Sequence, residues 1–239
     1  GLGVDTTLLY RGDLFMRGFD GDVRRFLVTE MEKKGVRLRF NTNAEAVEAS
    51  GSGYIVTLTD GSTMSTGLVM AATGRQALTE GLGLEQLGVE FTVSGHIQVD
   101  DHFQTAVPSI TALGDVIGTP QLTPVALGQG MVLSRRLFGD GQGDMDYSFI
   151  PTAVFCQPNI GTVGATEEEA RDKGHRVTVF RSEFRPMKYT LSGRDERCLM
   201  KLVVDADTDR VLGAHMVGPD AGEIIQGLAV AMKAGATKA

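Results

Sequence analysis

The stretch from Val4 to Phe40 constrains the fold more than any other part of the chain, because it reads as strand, helix, strand. Val4–Tyr10 (VDTTLLY) is an apolar, β-branched run of strand length. From Asp20 to Lys34, Val23, Phe26, Leu27 and Met31 recur at helical spacing, with Asp20 placed to cap the start and Gly35 to stop the end. Val36–Phe40 then resumes a strand. Two strands joined through a helix pair in parallel, and the crossover between them is right-handed. The chain therefore contains at least one unit of an α/β sheet.

The pattern changes after residue 43. Ala44–Asp60 falls into short alternating segments, Asp60-Gly61 supplies a tight hairpin turn, and Ser65–Ala72 is expected to return as a strand, a β-meander inserted between parallel strands. A loop-rich stretch leads to His96–Val99 and to a further expected strand, Ser109–Leu113, ending at Gly114-Asp115. Next comes a helix in which Thr123 is expected to cap the first turn and Pro124 to occupy the first helical position, running to about Phe138 and ending at Gly139. Residues 139–146 are rich in glycine and acid, the best linker in the chain. Beyond them, Thr166 and three glutamates open a helix closed near Gly174, and Arg176–Phe180 is a strand. Cys198–Val204 pairs with Val211–Met216 across the turn 205–210. A last amphipathic helix from Asp220 to about Lys233 carries Ile224, Ile225, Leu228, Val230, Ala231 and Met232. The fold class is α/β, becoming α+β in the last third.

Composition narrows the partners. With 42% hydrophobic and 22% charged residues over 239 positions, the chain can bury a sizeable core, and it is neither a disordered nor a membrane composition. No run reaches the roughly 18 apolar residues of a spanning helix. The balance of 23 basic and 30 acidic residues, net −7, disfavours non-specific attraction to nucleic acid or anionic lipid, so any anion site must be local. Cys156 and Cys198 are too few for a disulfide framework and too far apart for a CxxC motif. They are expected as ordinary buried thiols of a reduced, cytoplasmic protein, and His96, His102, His175 and His215 as surface or turn residues. Gly1 is not an initiator methionine and no signal segment follows it, so the chain is expected to begin within a longer protein.

Arg11 stands at the end of the first crossover strand, where a dinucleotide-binding sheet selects its coenzyme: an acid there accepts from the ribose hydroxyls of NAD, a base pairs with the extra phosphate of NADP. Arg17 follows within reach of the same dianion, with the fork geometry that suits phosphate. Read alone, two loop arginines are more often solvated surface charges. Gly1-Leu-Gly3 precedes a strand rather than a helix and is a turn; the glycine loop belonging to Arg11 would lie about 20 residues earlier, before residue 1.

The segments Tyr10-Arg-Gly-Asp-Leu-Phe-Met-Arg-Gly-Phe-Asp20, Ala72-Thr-Gly-Arg75, Ala112-Leu-Gly-Asp115 and Leu122-Thr-Pro-Val-Ala126 resemble, in order and spacing, the flavin-dependent pyridine nucleotide-disulfide reductases. Ile150–Phe155, Ile160–Gly164, Phe184-Arg-Pro-Met187 and Gly235–Lys238 resemble the glutathione reductase branch of that family. The resemblance covers essentially the whole chain. It implies the end of a Rossmann-like NADPH-binding domain over 1–76, a central FAD-binding part over 77–149 and a dimerisation domain over 150–239, with FAD and NADPH as cofactors, glutathione disulfide as substrate and a second copy of the chain as partner.

By the same resemblance, Gly74 allows nucleotide and backbone to approach closely, Asp115 meets the ribitol or pyrophosphate region of the flavin, and the helix starting at Leu122 and Thr123 aims its positive end at the flavin's pyrimidine side. Phe184, Arg185 and Met187 match the segment that touches the disulfide. Each also has a plainer reading: Gly74 as a turn glycine, Gly-Asp as turn chemistry, the FRPM stretch as loop packing. Met131 stands where several glutathione reductases have arginine, and trypanothione reductases share the YRGD-to-RGFD segment, so a related disulfide is the alternative substrate. Dihydrolipoamide dehydrogenases usually carry an acid where Arg11 stands. The family's redox cysteine pair, its FAD glycine fingerprint and its His-Pro-Thr segment are absent from the 239 residues. The chain is accordingly expected to be part of a larger enzyme, with no catalytic residue of its own and no metal site; by itself it would serve only as a binding or dimerisation module.

Overall fold

The structure, a computed structural model, describes residues 2–141 and 143–239. The chain divides into two compact units, one of residues 1–69 with 148–239 and one of 70–147.

In the first unit, β1 (Thr7–Leu9) and β2 (Arg37–Arg39) pair in parallel, Leu8 opposite Leu38, through the crossover helix α1 (Gly21–Lys33). Asp20 caps α1 by accepting from the Asp22 N–H, and Gly35, with φ +81°, ends it where a side chain would be strained. A meander follows: β3 (Ala44–Ser50), β4 (Gly53–Leu58) and β5 (Thr63–Thr66), all antiparallel, with Val56 and Leu58 buried. The expected strand Ser65–Ala72 is cut to its first two residues, because beyond Thr66 no neighbouring strand among the described residues takes up its backbone groups, and Leu68 and Met70 stand exposed.

The second part of this unit is a five-stranded sheet ordered β6-β7-β10-β9-β8, built from β6 (Thr152–Val154), β7 (Ile160–Gly164), β8 (Val177–Phe184), β9 (Cys198–Asp205) and β10 (Val211–Val217). Every neighbouring pair is antiparallel. Two short helices, α3 (Glu167–Asp172) and α4 (Met187–Thr190), flank β8, and α5 (Ala221–Lys233) closes the chain. Strand alternation sorts the sheet into two faces. Val163, Ala214 and Met216 pack with Ile225, Ala229 and Met232 of α5; Ile160, Leu199 and Val217 pack with Val23, Phe26 and Leu27 of α1. Helix α5 lies so close that a Cβ at Gly161 would collide with the Ala221 carbonyl, so only glycine fits there.

The second unit holds one turn of 3-10 helix, Gly114–Ile117, and the long helix α2 (Thr123–Phe138) around a small core of Val89, Ile97 and Ala112. Ser109–Leu113 does not form a strand: it makes a single bridge, Gln104 to Thr111, because the Ile110 N–H bonds locally to the Val107 carbonyl, its carbonyl is taken by the Gln104 and Thr105 side chains, and the chain turns at Gly114. Nor is Thr123 the cap of α2. The Leu122 carbonyl accepts the first helical bond from the Ala126 N–H, so Leu122 is the capping residue and Thr123 the first helical one, and no side chain caps this end.

Candidate functional site

The loop from Arg11 to Phe19 is fixed at both ends and in the middle. At its start Tyr10 N–H donates to the Arg39 carbonyl (2.9 Å) and Asn41 N–H to the Gly12 carbonyl (2.9 Å). Phe15 buries its ring against Tyr10, edge-on, and Phe40. From α1, Arg24 Nε donates to the Phe15 carbonyl (2.7 Å) while its Nη2 donates to the Leu14 carbonyl. Met16 follows with φ +60°, a left-handed backbone costing about 1 kcal/mol or more for a side-chain-bearing residue. Arg11 and Arg17 project from this ordered loop into solvent, without an ion pair or hydrogen bond among the described residues. An anchored loop bearing two free guanidinium groups is chemically suited to a phosphate dianion.

The loop ends at Asp20, which sequence patterning marks as a helix cap and which does more. Its carboxylate also accepts from the Glu167 N–H (3.1 Å) at the start of α3 and from Lys201 Nζ (3.0 Å) on β9. In return Glu168 accepts from the Gly21 N–H (3.2 Å), and a Cβ at Gly21 would sit 2.5 Å from that carboxylate oxygen. Each helix thus lends a carboxylate to the positive end of the other. Lys201, its side chain 1% exposed, also donates to Asp22 (2.7 Å) and Glu167 (2.8 Å), and Arg25 and Arg171 pair with those two acids from outside, so three cations meet three carboxylates.

Burial raises the Asp20 carboxyl, but the Glu167 N–H and Lys201 more than reverse this and hold it below its ordinary value. Asp22 follows the same logic, with Lys201 and Arg25 overcoming burial. For Glu167 the bond from Lys201 itself is the leading cause of the lowering. Burial lowers Lys201, and the three acids together lift it above the ordinary lysine range.

His215, expected at the surface or in a turn, is instead 2% exposed within β10, where strand alternation turns it to the α1 face beside Lys201's strand. Nδ1 shares a hydrogen bond with the Thr162 hydroxyl at 2.5 Å and Nε2 reaches the Ala165 carbonyl at 3.1 Å; burial lowers its pKa, favouring the neutral ring. Cys156 is part-buried and Cys198 buried; burial raises both thiols, Cys198 to about 11, so neither is an activated nucleophile. Beside α1 an open cleft of about 590 Å³ is lined mostly by charges already paired with one another, Arg25 with Asp22, Lys33 with Glu30 and Arg181 with Glu183, and by Arg197.

In the second unit Gly74 adopts φ +138° in an exposed segment where a Cβ would meet nothing within 4 Å, so its glycine requirement is conformational. Asp115 lies on the 3-10 turn 114–117, which packs on α2, the helix that opens at Leu122 and Thr123. Gln129 of α2 is fully buried, its Oε1 accepting from the Gly114 N–H (2.7 Å) and its Nε2 donating to the Thr119 hydroxyl (2.9 Å) and the Tyr147 hydroxyl (2.9 Å). This pins the turn that carries the exposed Asp115 onto α2, whose start has no side-chain cap among the described residues. Gln129 carried no signal in the sequence beyond a polar residue on the apolar face of α2.

Phe184 closes β8 opposite Cys198, Arg185 lies 3.7 Å from Asp195, and Met187 opens α4 with 88% exposure. Phe184 ends the edge strand β8, and Arg185 and Met187 follow it in the chain. Met131, on α2, is exposed. Among the described residues no group of His, Cys, Asp and Glu could hold a metal ion, and no helix is long and apolar enough to cross a membrane.

A parallel crossover unit, a three-stranded meander and a five-stranded antiparallel sheet packed on α5 make up an α/β chain that becomes α+β in its last third. Residues 1–130 match the pyridine nucleotide-disulphide oxidoreductase family and residues 150–239 match its dimerisation domain; the chain belongs to this family. It is similar to glutathione reductase of Burkholderia cepacia, 46% identical over the whole chain and 53% of that protein, and to the chloroplastic/mitochondrial glutathione reductase of Pisum sativum, 44% identical over the whole chain and 44% of that protein. Trypanothione reductase of Trypanosoma congolense is 37% identical over 97% of the chain and 48% of its own length. The chain spans about half the length of the curated relatives it matches.

Proposed function

We propose that this chain supplies the coenzyme-selecting and interface parts of an NADPH- and FAD-dependent reductase of glutathione disulfide. The observation that carries the reading is the anchored loop with Arg11 and Arg17 unpartnered at its surface. When bound, NADPH supplies a hydride and FAD passes its electron pair towards a disulfide. The residues present fit both groups: two guanidinium forks for a 2′-phosphate, and for the flavin an exposed carboxylate at Asp115, on the turn packed on α2, and the uncapped start of that helix at Leu122-Thr123, with the glycine conformation at Gly74 leaving room for nucleotide. Phe184, Arg185 and Met187 are proposed to meet the disulfide, the exposed apolar side chains of Phe184 and Met187 supporting a contact role. We place the domain boundaries at about 76 and 149 and the protein in the cytoplasm, consistent with two unpaired cysteines; the printed compartments of the Pisum relative show that location varies within the family.

The coenzyme assignment is tested by Arg11→Ala with Arg17→Ala in the full-length enzyme. Charge-assisted bonds to phosphate contribute about 1.5–3 kcal/mol each, so even solvent-weakened contacts give an expected loss in kcat/KM for NADPH of at least about tenfold, with NADH within a few-fold. Equal losses with both coenzymes would refute it. The 239 residues alone are expected to show no disulfide reductase turnover, because they contain neither a spaced cysteine pair nor an activated thiol. A homodimer through residues 150–239 is supported by the exposed apolar side chains of Phe155, Ile224, Leu228 and Val230, and sedimentation at micromolar concentration should show two chains. A reductase of trypanothione-like disulfides is the second reading, favoured by Met131; relative kcat/KM on the two disulfides decides between them.

A further inference from the structure

Between Tyr10 and Asp20 the chain is tied to the sheet at residues 10 and 12 and to the Lys201 cluster at residue 20. Its middle is held by the Phe19 N–H to Met16 carbonyl bond (3.2 Å), by the packing of Phe15, Met16 and Phe19 on the core beneath, and by Arg24, whose two bonds are its side-chain hydrogen bonds. A guanidinium presents five donors in a rigid plane, and here two of its nitrogens take two consecutive carbonyls, Leu14 and Phe15, immediately before the left-handed Met16. No carboxylate lies within ion-pair distance of Arg24 among the described residues, so its charge is spent on neutral acceptors.

We propose that Arg24 is a positioning residue for coenzyme selection, clamping the Leu14 and Phe15 carbonyls so that Arg11 and Arg17 stand on one preformed face for a 2′-phosphate. The inference rests on the NADPH reading above. A preformed pair of arginines binds without the cost of ordering the loop at the moment of binding. Without the clamp, the dianion must order the loop itself, and affinity for the 2′-phosphate falls while the rest of the nucleotide is held as before.

The test uses the full-length enzyme and two probes, adenosine 2′,5′-bisphosphate and adenosine 5′-monophosphate, with binding followed by calorimetry. Arg24→Ala is expected to weaken the bisphosphate roughly three- to tenfold and leave the monophosphate within about twofold, with KM for NADPH rising in parallel and kcat at saturation unchanged. Arg24→Lys keeps the charge but not the fork and is expected to recover less than half of the loss; it also serves if the alanine variant does not fold. Where Arg11 and Arg17 are both alanine, removing Arg24 should have no further effect. Equal weakening of both probes, full recovery by lysine, or a loss that persists without Arg11 and Arg17 would each overturn the proposal. If Arg11→Ala with Arg17→Ala leaves the ratio of the two affinities unchanged, the coenzyme reading itself has failed, which is a separate result from failure of the clamp.

Discussion

Two buried polar hubs organise this molecule, and they are built on opposite principles. In the first unit Lys201 joins Asp20, Asp22 and Glu167, groups up to 181 positions away in sequence, at the point where the arginine-bearing loop enters α1. In the second, Gln129 joins Gly114, Thr119 and Tyr147, none more than 18 positions distant, where the Gly114-Asp115 turn meets α2. Both pin a turn that carries candidate cofactor residues to the side of a helix. The charged hub fastens remote segments and responds to pH; the neutral hub trims a local turn and does not. A neutral side chain with every group bonded is enough to hold a local turn, whereas docking two helix starts onto a sheet brings carboxylates together that only a buried cation can reconcile.

The largest expected effect breaks the charged hub. Lys201→Met would leave three clustered carboxylates without their central cation, and removing one partner of a buried ion cluster costs about 3–5 kcal/mol, read as the shift in urea unfolding of the first unit. Its pH dependence sharpens the contrast. Asp20, Asp22 and Glu167 are lowered from ordinary values of 3.8, 3.8 and 4.5, so their contribution is complete above those values and is lost as pH falls through the lower folded ones. Lys201 is raised from 10.5, so its contribution is complete below that pH and is lost only as pH climbs through the higher folded value. The wild-type acid limb should therefore flatten in Lys201→Met, and an unchanged limb would show that the cluster is not its origin.

Next in size, Gln129→Leu removes three hydrogen bonds and strands the Gly114 N–H, an expected cost of about 1–3 kcal/mol with the acid limb of the first unit intact. A cost equal to that of Lys201→Met would erase the distinction between the hubs. Smallest is Thr166→Ala. It deletes the hydroxyl that accepts from the Glu169 N–H in the capping box of α3 and should cost about 1 kcal/mol in the same unfolding experiment. That loss should be independent of pH above 5, where the three acids remain ionised.

Much that depends on neighbours in the chain was legible in the sequence, although the cap of α2 fell at Leu122 rather than Thr123. Asp20 announces a cap before an apolar 3.6-residue period, Thr166 with its three glutamates announces a helix start, and strand–helix–strand announces a parallel pair; each appears at that position. Arg11 and Arg17 could be placed on the loop after β1 because strand ends are local too. Extended segments without a neighbour were not legible. Ser65–Ala72 and Ser109–Leu113 have strand composition, but a strand is completed by its partner's backbone, and that partner is absent beyond Thr66 and reduced to one bridge at Thr111.

The sequence by itself determined α1 and α3 with their caps, the course of α2 and α5, the parallel crossover and the loop that offers two arginines, because propensity, periodicity and capping act over a few residues. Only the tertiary structure decided that Lys201 and His215 face inward, that Asp20 caps two helices, and that Arg24 and Gln129 fasten the turns beside them. A lysine in a strand or an arginine on a helix is an ordinary surface residue to any local rule. What buries or binds it is the charge or carbonyl that folding brings alongside, and only a partner so placed offsets the cost of taking an ion out of water.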